Sequence, residues 1–188
     1  MGLNDVSGVV VTLPGIYNSG PTHWQSLWEE SRRADFRRFA PMDWDQPQLT
    51  DWIAALDRAV ATAPAPPLLV AHSLSCLLVP IWARGTGRRV RGAVLVAPVD
   101  PAADLFPEDA AEFAQFTDFV RRPLPFPTVV VGSDDDPYAT AMWSRDFADG
   151  LGAAYVNAGP FGHLNADSGL GDWPWGQGLV AGFAAALP

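Results

Sequence analysis

A single cysteine, Cys76, stands among 188 residues, so no intrachain disulfide can form and no cysteine-rich metal site exists. A reducing compartment suits such a chain, and a cytoplasmic location is expected. Basic residues are scarce too: 12 Lys and Arg against 21 Asp and Glu give a formal net charge of -9. That balance argues against nucleic acid and against anionic membrane surfaces as partners. No apolar run reaches membrane-spanning length. The opening Met1-Gly2-Leu3-Asn4-Asp5-Val6 has no basic stretch ahead of an apolar one, and no Ser or Thr at position 6. Neither a signal peptide nor the myristoylation pattern is therefore expected. Gly-x-Gly-x-x-Gly and the P-loop Gly-Lys-Ser/Thr are both missing, which leaves nucleotide or phosphate binding a poor reading. Histidine is rare as well, with three copies.

What is present is an ordinary globular composition, 48% hydrophobic and 18% charged. The length suits one domain, and no linker, repeat or low-complexity tract divides residues 1–188. Strand and helix signals alternate along the chain. Strands are predicted at Gly8–Leu13, Phe36–Phe39, Leu68–Ala71, Arg91–Ala97, Thr128–Gly132 and Ala153–Asn157. Helices are predicted at Pro21–Arg33, Gln48–Ala63, Leu74–Arg84, Tyr138–Ala148 and Trp175–Leu187, with Ser19 or Thr22 capping the first. Asp100–Phe126 is proline-broken, acidic and irregular, and is placed to overhang a site. This alternation implies a three-layer αβα sandwich, a mainly parallel sheet of about six strands covered on both faces.

The centre of the chain is Leu68-Leu69-Val70-Ala71-His72-Ser73-Leu74-Ser75-Cys76, an apolar strand running into an apolar helix with Ser73 at the corner. Open α/β sheets place their sites at such carboxyl ends. The pattern is a relaxed form of the G-x-S-x-G nucleophile elbow, with Ala71 and Ser75 in place of the glycines. From this stretch alone, Ser73 reads equally well as the N-cap of a core helix.

A serine hydroxyl needs a positioned base, and the base needs a carboxylate to hold its tautomer. His163 lies in a glycine-rich loop after the last strand, where a base belongs in the order Ser, Asp, His. His72, if extended, points to the other face of its strand, and His23 comes early. Ser133-Asp134-Asp135-Asp136-Pro137-Tyr138 follows the fifth strand and supplies the acid, with Asp136 preferred. Asp136 before Pro137 also reads as a helix start in its own right. An oxyanion needs backbone donors: Leu74 N–H at the elbow, and Ile16 N–H in the loop after the first strand, with Tyr17 as the alternative. Tyr17 and Trp173 are candidate pocket residues. Trp24 and Trp28, one turn apart on a helix, read as packing for that loop, and Cys76 as buried packing.

Pro14-Gly15 with Ser19-Gly20-Pro21-x-His23-Trp24-Gln25-x-x-Trp28-Glu29 resembles the opening signature of small serine hydrolases of the YdeN and retinoblastoma-binding-protein-nine type. Ser133-x-x-Asp136-Pro137-Tyr138 resembles that family too. So does Gly162-His163-Leu164-Asn165-x-x-Ser168-Gly169-Leu170-Gly171-x-Trp173-Pro174. The resemblance covers nearly the whole chain and departs at Ser75, where the family usually has glycine. It implies a compact α/β-hydrolase fold without a large lid, with Ser73 as nucleophile, Asp136 as acid and His163 as base. The expected substrate is a small carboxylic ester or amide, cleaved through an acyl-enzyme without cofactor or metal. Without a lid the pocket should be shallow and favour small acyl groups. A monomer or weak dimer is expected. A protein-binding module with an idle triad is the second reading.

Overall fold

The computed structural model describes residues 2–103, 111–117 and 121–187. Six strands form one sheet in the order β2-β1-β3-β4-β5-β6, and all five pairings are parallel. The strands are β1 (Val10–Leu13), β2 (Phe36–Arg38), β3 (Leu68–His72), β4 (Gly92–Val96), β5 (Thr128–Gly132) and β6 (Ala154–Asn157). The helices are α1 (Trp24–Ser31), α2 (Leu49–Ala61), α3 (Ser75–Gly85), α4 (Ala111–Thr117), α5 (Ala141–Gly150) and α6 (Pro174–Ala186). Short 3-10 turns occupy Leu3–Asp5 and Ala166–Ser168.

The apolar runs of β1, β3, β4 and β5 are continuous because both faces of these strands are buried. Successive side chains feed two separate cores. Val11, Leu13, Leu69 and Ala71 join Trp52, Leu56, Leu77, Trp82, Phe116 and Phe147 under α2 to α5. Val10, Leu68 and Val70 join Trp24, Trp28, Trp173 and Val180 under α1 and α6. Among the described residues no helix is long and apolar enough to cross a membrane.

Two helix starts differ from expectation. α1 begins at Trp24 rather than Pro21, capped by His23, whose Nδ1 accepts from Gln25 N–H, and not by Ser19 or Thr22. α5 begins at Ala141, capped by Thr140, so Asp136 and Pro137 lie outside the helix. Of segment 100–126, residues 104–110 and 118–120 lie outside the described residues, and with them much of the expected overhang.

Topology decides where a site can be. The chain leaves β1 toward β2 on one side, then returns to lay β3 against β1 on the other, with Leu13 level with Ala71. The loops after β1 and β3 therefore meet at the point where strand order reverses.

Candidate active site

At the end of β3 the backbone turns through Ser73 at φ 58, a left-handed conformation unusual for a residue with a side chain. Ser73 N–H is held by the Val96 carbonyl at 3.0 Å. The turn lifts the hydroxyl out of the sheet before α3 begins. It also forces close packing with the loop after β1: a Cβ at Gly15 would lie 2.7 Å from Ser73 Cβ, so only glycine fits there. Ser75, where the expected pattern has glycine, is fully buried, and its hydroxyl donates to the Pro14 carbonyl at 2.6 Å. The departure from the motif thus adds a tie between the elbow and the β1 loop.

His163 Nε2 lies 2.9 Å from Ser73 Oγ, and its Nδ1 lies 3.0 Å from both carboxylate oxygens of Asp136. A carboxylate only accepts, so Nδ1 carries the proton and Nε2 accepts from the serine hydroxyl. The Asp136 side chain is 2% exposed, and Oδ1 also accepts from Tyr138 N–H at 2.9 Å. The neighbouring carboxylates have other partners. Asp134 accepts from Asn157 Nδ2 at 2.6 Å. Asp135 accepts from Gly162 N–H at 2.7 Å and from Ser133 Oγ at 3.0 Å, bonds that hold its carboxyl below the usual range.

The loop carrying His163 depends on positive φ at Gly159, Gly162 and Leu164. Two buried side chains pin its successive carbonyls. His72 Nε2–H donates to the His163 carbonyl at 2.9 Å, and Trp24 Nε1–H donates to that of Leu164 at 2.8 Å. Trp28 Nε1–H reaches the Asp172 carbonyl at 2.6 Å further along. The tryptophans of the opening signature therefore hold the closing one.

All three histidines of the chain meet here. The ring of His72 is 4.8 Å from that of His23 and 4.9 Å from that of His163. Burial, followed by the charges of Arg38 and His163, pushes His23 down to about 4. Burial, followed by His23 and His163, puts His72 well below the ordinary imidazole value. Both are neutral at neutral pH. Cys76 is buried, bonded to the Val96 carbonyl, and burial pushes its thiol well up.

A pocket of about 450 Å3 opens over Ser73. One wall is apolar: Ile16, Leu74, Val99, Phe113 and Tyr138 all belong to, or pack on, the core under α2 to α5. Polar side chains on the lining include Asn18, His23, His72 and Asn165. Tyr17 is at the mouth, 69% exposed. Its N–H is taken by the Trp44 carbonyl at 3.0 Å, whereas no acceptor among the described residues is bonded to the N–H of Ile16 or Leu74. Trp173 is a correction: it is buried and does not line the pocket. Its left-handed backbone, φ 47, directs the ring onto Trp24 and Trp28 in the α1–α6 core. Phe113, Val99, Tyr138, Asn18 and Asn165 are lining residues that sequence reasoning missed. Asn165, two after His163, and Tyr138, two after Asp136, stood in quoted motifs and so carried a signal. Among the described residues no three His, Cys, Asp or Glu side chains are grouped to hold a metal ion.

Known proteins share this fold. A family model described as Serine hydrolase matches residues 10–182. A YdeN-like hydrolase structure from Pectobacterium atrosepticum is 29% identical, covers 96% of this chain and 92% of its own, and superposes with a TM-score of 0.83. The ydeN gene product of B. subtilis, at 22% identity, covers 95% and 100% with a TM-score of 0.73. A monoacylglycerol lipase from Paleococcus ferrophilus shares the fold at 14% identity, covering 95% and 93%, with a TM-score of 0.65. Against curated proteins no sequence matches. With nearly the whole chain inside the family model and an all-parallel α/β-hydrolase sheet behind the elbow, the protein belongs to the serine hydrolase family.

Proposed function

We propose that this hydrolase cleaves small carboxylic esters through an acyl-enzyme on Ser73, with amides as the second substrate class. The observation that carries the reading is the unbroken chain from Ser73 Oγ through His163 to Asp136, at 2.9 and 3.0 Å. Ser73 attacks the carbonyl carbon while His163 Nε2 takes its proton. Asp136 holds the imidazole tautomer and stabilises the imidazolium. The N–H groups of Leu74 and Ile16 receive the oxyanion, since both line the pocket with Ser73 and have no other acceptor among the described residues. His163 then returns the proton to the leaving oxygen; in the second half the same base takes a proton from water as it attacks the acyl carbon, and returns it to Ser73 Oγ as the acid leaves. The apolar wall of Leu74, Val99, Phe113 and Tyr138 accommodates the acyl group, and about 450 Å3 favours a short one.

A fluorophosphonate probe tests the reading without knowledge of the substrate. Labelling is expected at Ser73, lost in Ser73→Ala and strongly reduced in His163→Ala. A folded wild-type protein that takes up no probe would overturn it.

A further inference from the structure

The pocket lining contains more polar groups than ester cleavage alone requires. Besides Ser73 and His163, four residues with amide or imidazole side chains line it: Asn18, His23, His72 and Asn165. In three of them the acceptor atom is already occupied by a donor of the protein. Asn18 Oδ1 accepts from Arg38 Nη1 at 2.9 Å and from Ser19 N–H at 2.8 Å. Asn165 Oδ1 accepts from Asp167 N–H at 3.0 Å. His23 Nδ1 accepts from Gln25 N–H at 3.2 Å, which leaves the proton of the neutral ring on Nε2. Each group is thereby oriented, and what each has left over is an N–H.

None of these leftover donors has an acceptor among the described residues. That of His23 is the most telling, because the residue is 4% exposed and Nε2 is buried without a partner. A buried orphan donor is unfavourable unless something else satisfies it. His72 differs, since its donor already holds the His163 carbonyl. Among the described residues, no Asp, Glu or Arg side chain lines the pocket.

Two of the three donor residues, His23 and Asn165, lie near His163, past which a leaving group departs. In acyl transfer the base protonates the leaving oxygen, so that group exits past His163. Asn165 is two residues beyond His163, and His23 packs against His72, which packs against His163. The apolar wall belongs to the opposite core.

We propose that the pocket selects an uncharged leaving group bearing a hydrogen-bond-accepting oxygen, as in an alkoxy or polyhydroxy alcohol, over an alkyl alcohol of equal size. The inference rests on the ester-hydrolysis reading above.

The butyrate esters of 2-methoxyethanol and 1-butanol test it, because they differ by one ether oxygen in place of a methylene. With rates normalised to alkaline hydrolysis, kcat/KM should favour the methoxyethyl ester by about tenfold, mainly through KM. Asn18→Asp and Asn165→Asp keep the structural Oδ1 acceptor but replace the N–H donor with a second acceptor. In each, the preference should shrink toward one, and His23→Phe should shrink it through loss of Nε2–H. Equal kcat/KM for the two esters in a wild type that labels at Ser73 would overturn the proposal and leave the esterase reading intact. A preference that persists in all three variants would overturn it as well. A wild type that neither labels nor hydrolyses would take down both.

Discussion

At the scale of single residues, the site relies on unusual backbone more than on unusual side chains. Ser73 at φ 58 and Leu164 at φ 49 hold left-handed conformations that an L-residue adopts only when its surroundings compel it. The elbow is compelled by the Val96 carbonyl and by Gly15. The contrast between Asp136 and its neighbours is equally local. Three consecutive aspartates stand in the β5 loop, yet Asp134 faces Asn157, Asp135 faces Gly162 N–H, and Asp136 faces His163. Asp136→Asn should therefore reduce kcat by about three to four orders of magnitude, because an amide lets Nδ1 lose its proton to the wrong tautomer. Asp134→Asn, whose carboxylate reaches only Asn157 Nδ2, should stay within a few-fold of wild type. Steady-state hydrolysis of an activated ester by both variants checks the contrast, and equal losses would count against the assignment.

At the scale of elements, the strand that ends at the proposed nucleophile and the loop of the proposed base are joined by His72. It is the residue just before Ser73, and its ring donates to the carbonyl of His163. One strand thus positions both partners of the Ser73–His163 bond, ninety residues apart in sequence. His72 is a positioning residue in this account. His72→Phe keeps the shape and deletes the donor, and should lower kcat by about tenfold to a hundredfold with little change in KM. His72→Gln, which restores an N–H at similar reach, should recover most of that loss. Rescue by Gln separates positioning from packing, since a purely steric role would favour Phe.

At the scale of the whole molecule, two cores on opposite faces of the sheet must both form before the site exists. The α1–α6 core contains the tryptophans that pin the His163 loop, and the imidazoles of His23 and His72 are buried beside it. Their burial ties stability to pH. An unfolded histidine binds its proton near pH 6.5, whereas folded His23 does so at about 4 and His72 well below its ordinary value. Between those limits the unfolded chain binds more protons, so unfolding free energy rises with pH. The stabilisation is complete above about pH 6.5 and is lost as pH falls toward 4, by on the order of 3 kcal/mol for His23 alone. Denaturant unfolding at pH 7, 6 and 5 should show this slope. His23→Asn, which keeps a favoured helix cap without the titration, should flatten it. An unchanged slope in that variant would contradict the burial account.

The sequence by itself determined the alternation of elements, because strands buried on both faces must be continuously apolar and helices must be amphipathic. It also determined which serine, aspartate and histidine were candidates. Ser73, Asp136 and His163 fall in the order Ser, Asp, His after the third, fifth and sixth strands, although Ser73 and Asp136 taken singly also read as helix starts. The tertiary structure decided what depends on distance between segments. It sent Trp173 into the α1–α6 core and out of the pocket, through one positive φ that local pattern does not reveal. It moved the caps of α1 and α5 to His23 and Thr140, freeing Asp136 for His163. It brought His23, His72 and His163 from three distant segments into one cluster. It also set Asn18 and Asn165 on one pocket with their acceptors already occupied. Periodicity and propensity act over a few residues, whereas these arrangements follow from the return of β3 beside β1 and from which donors the folded chain leaves over.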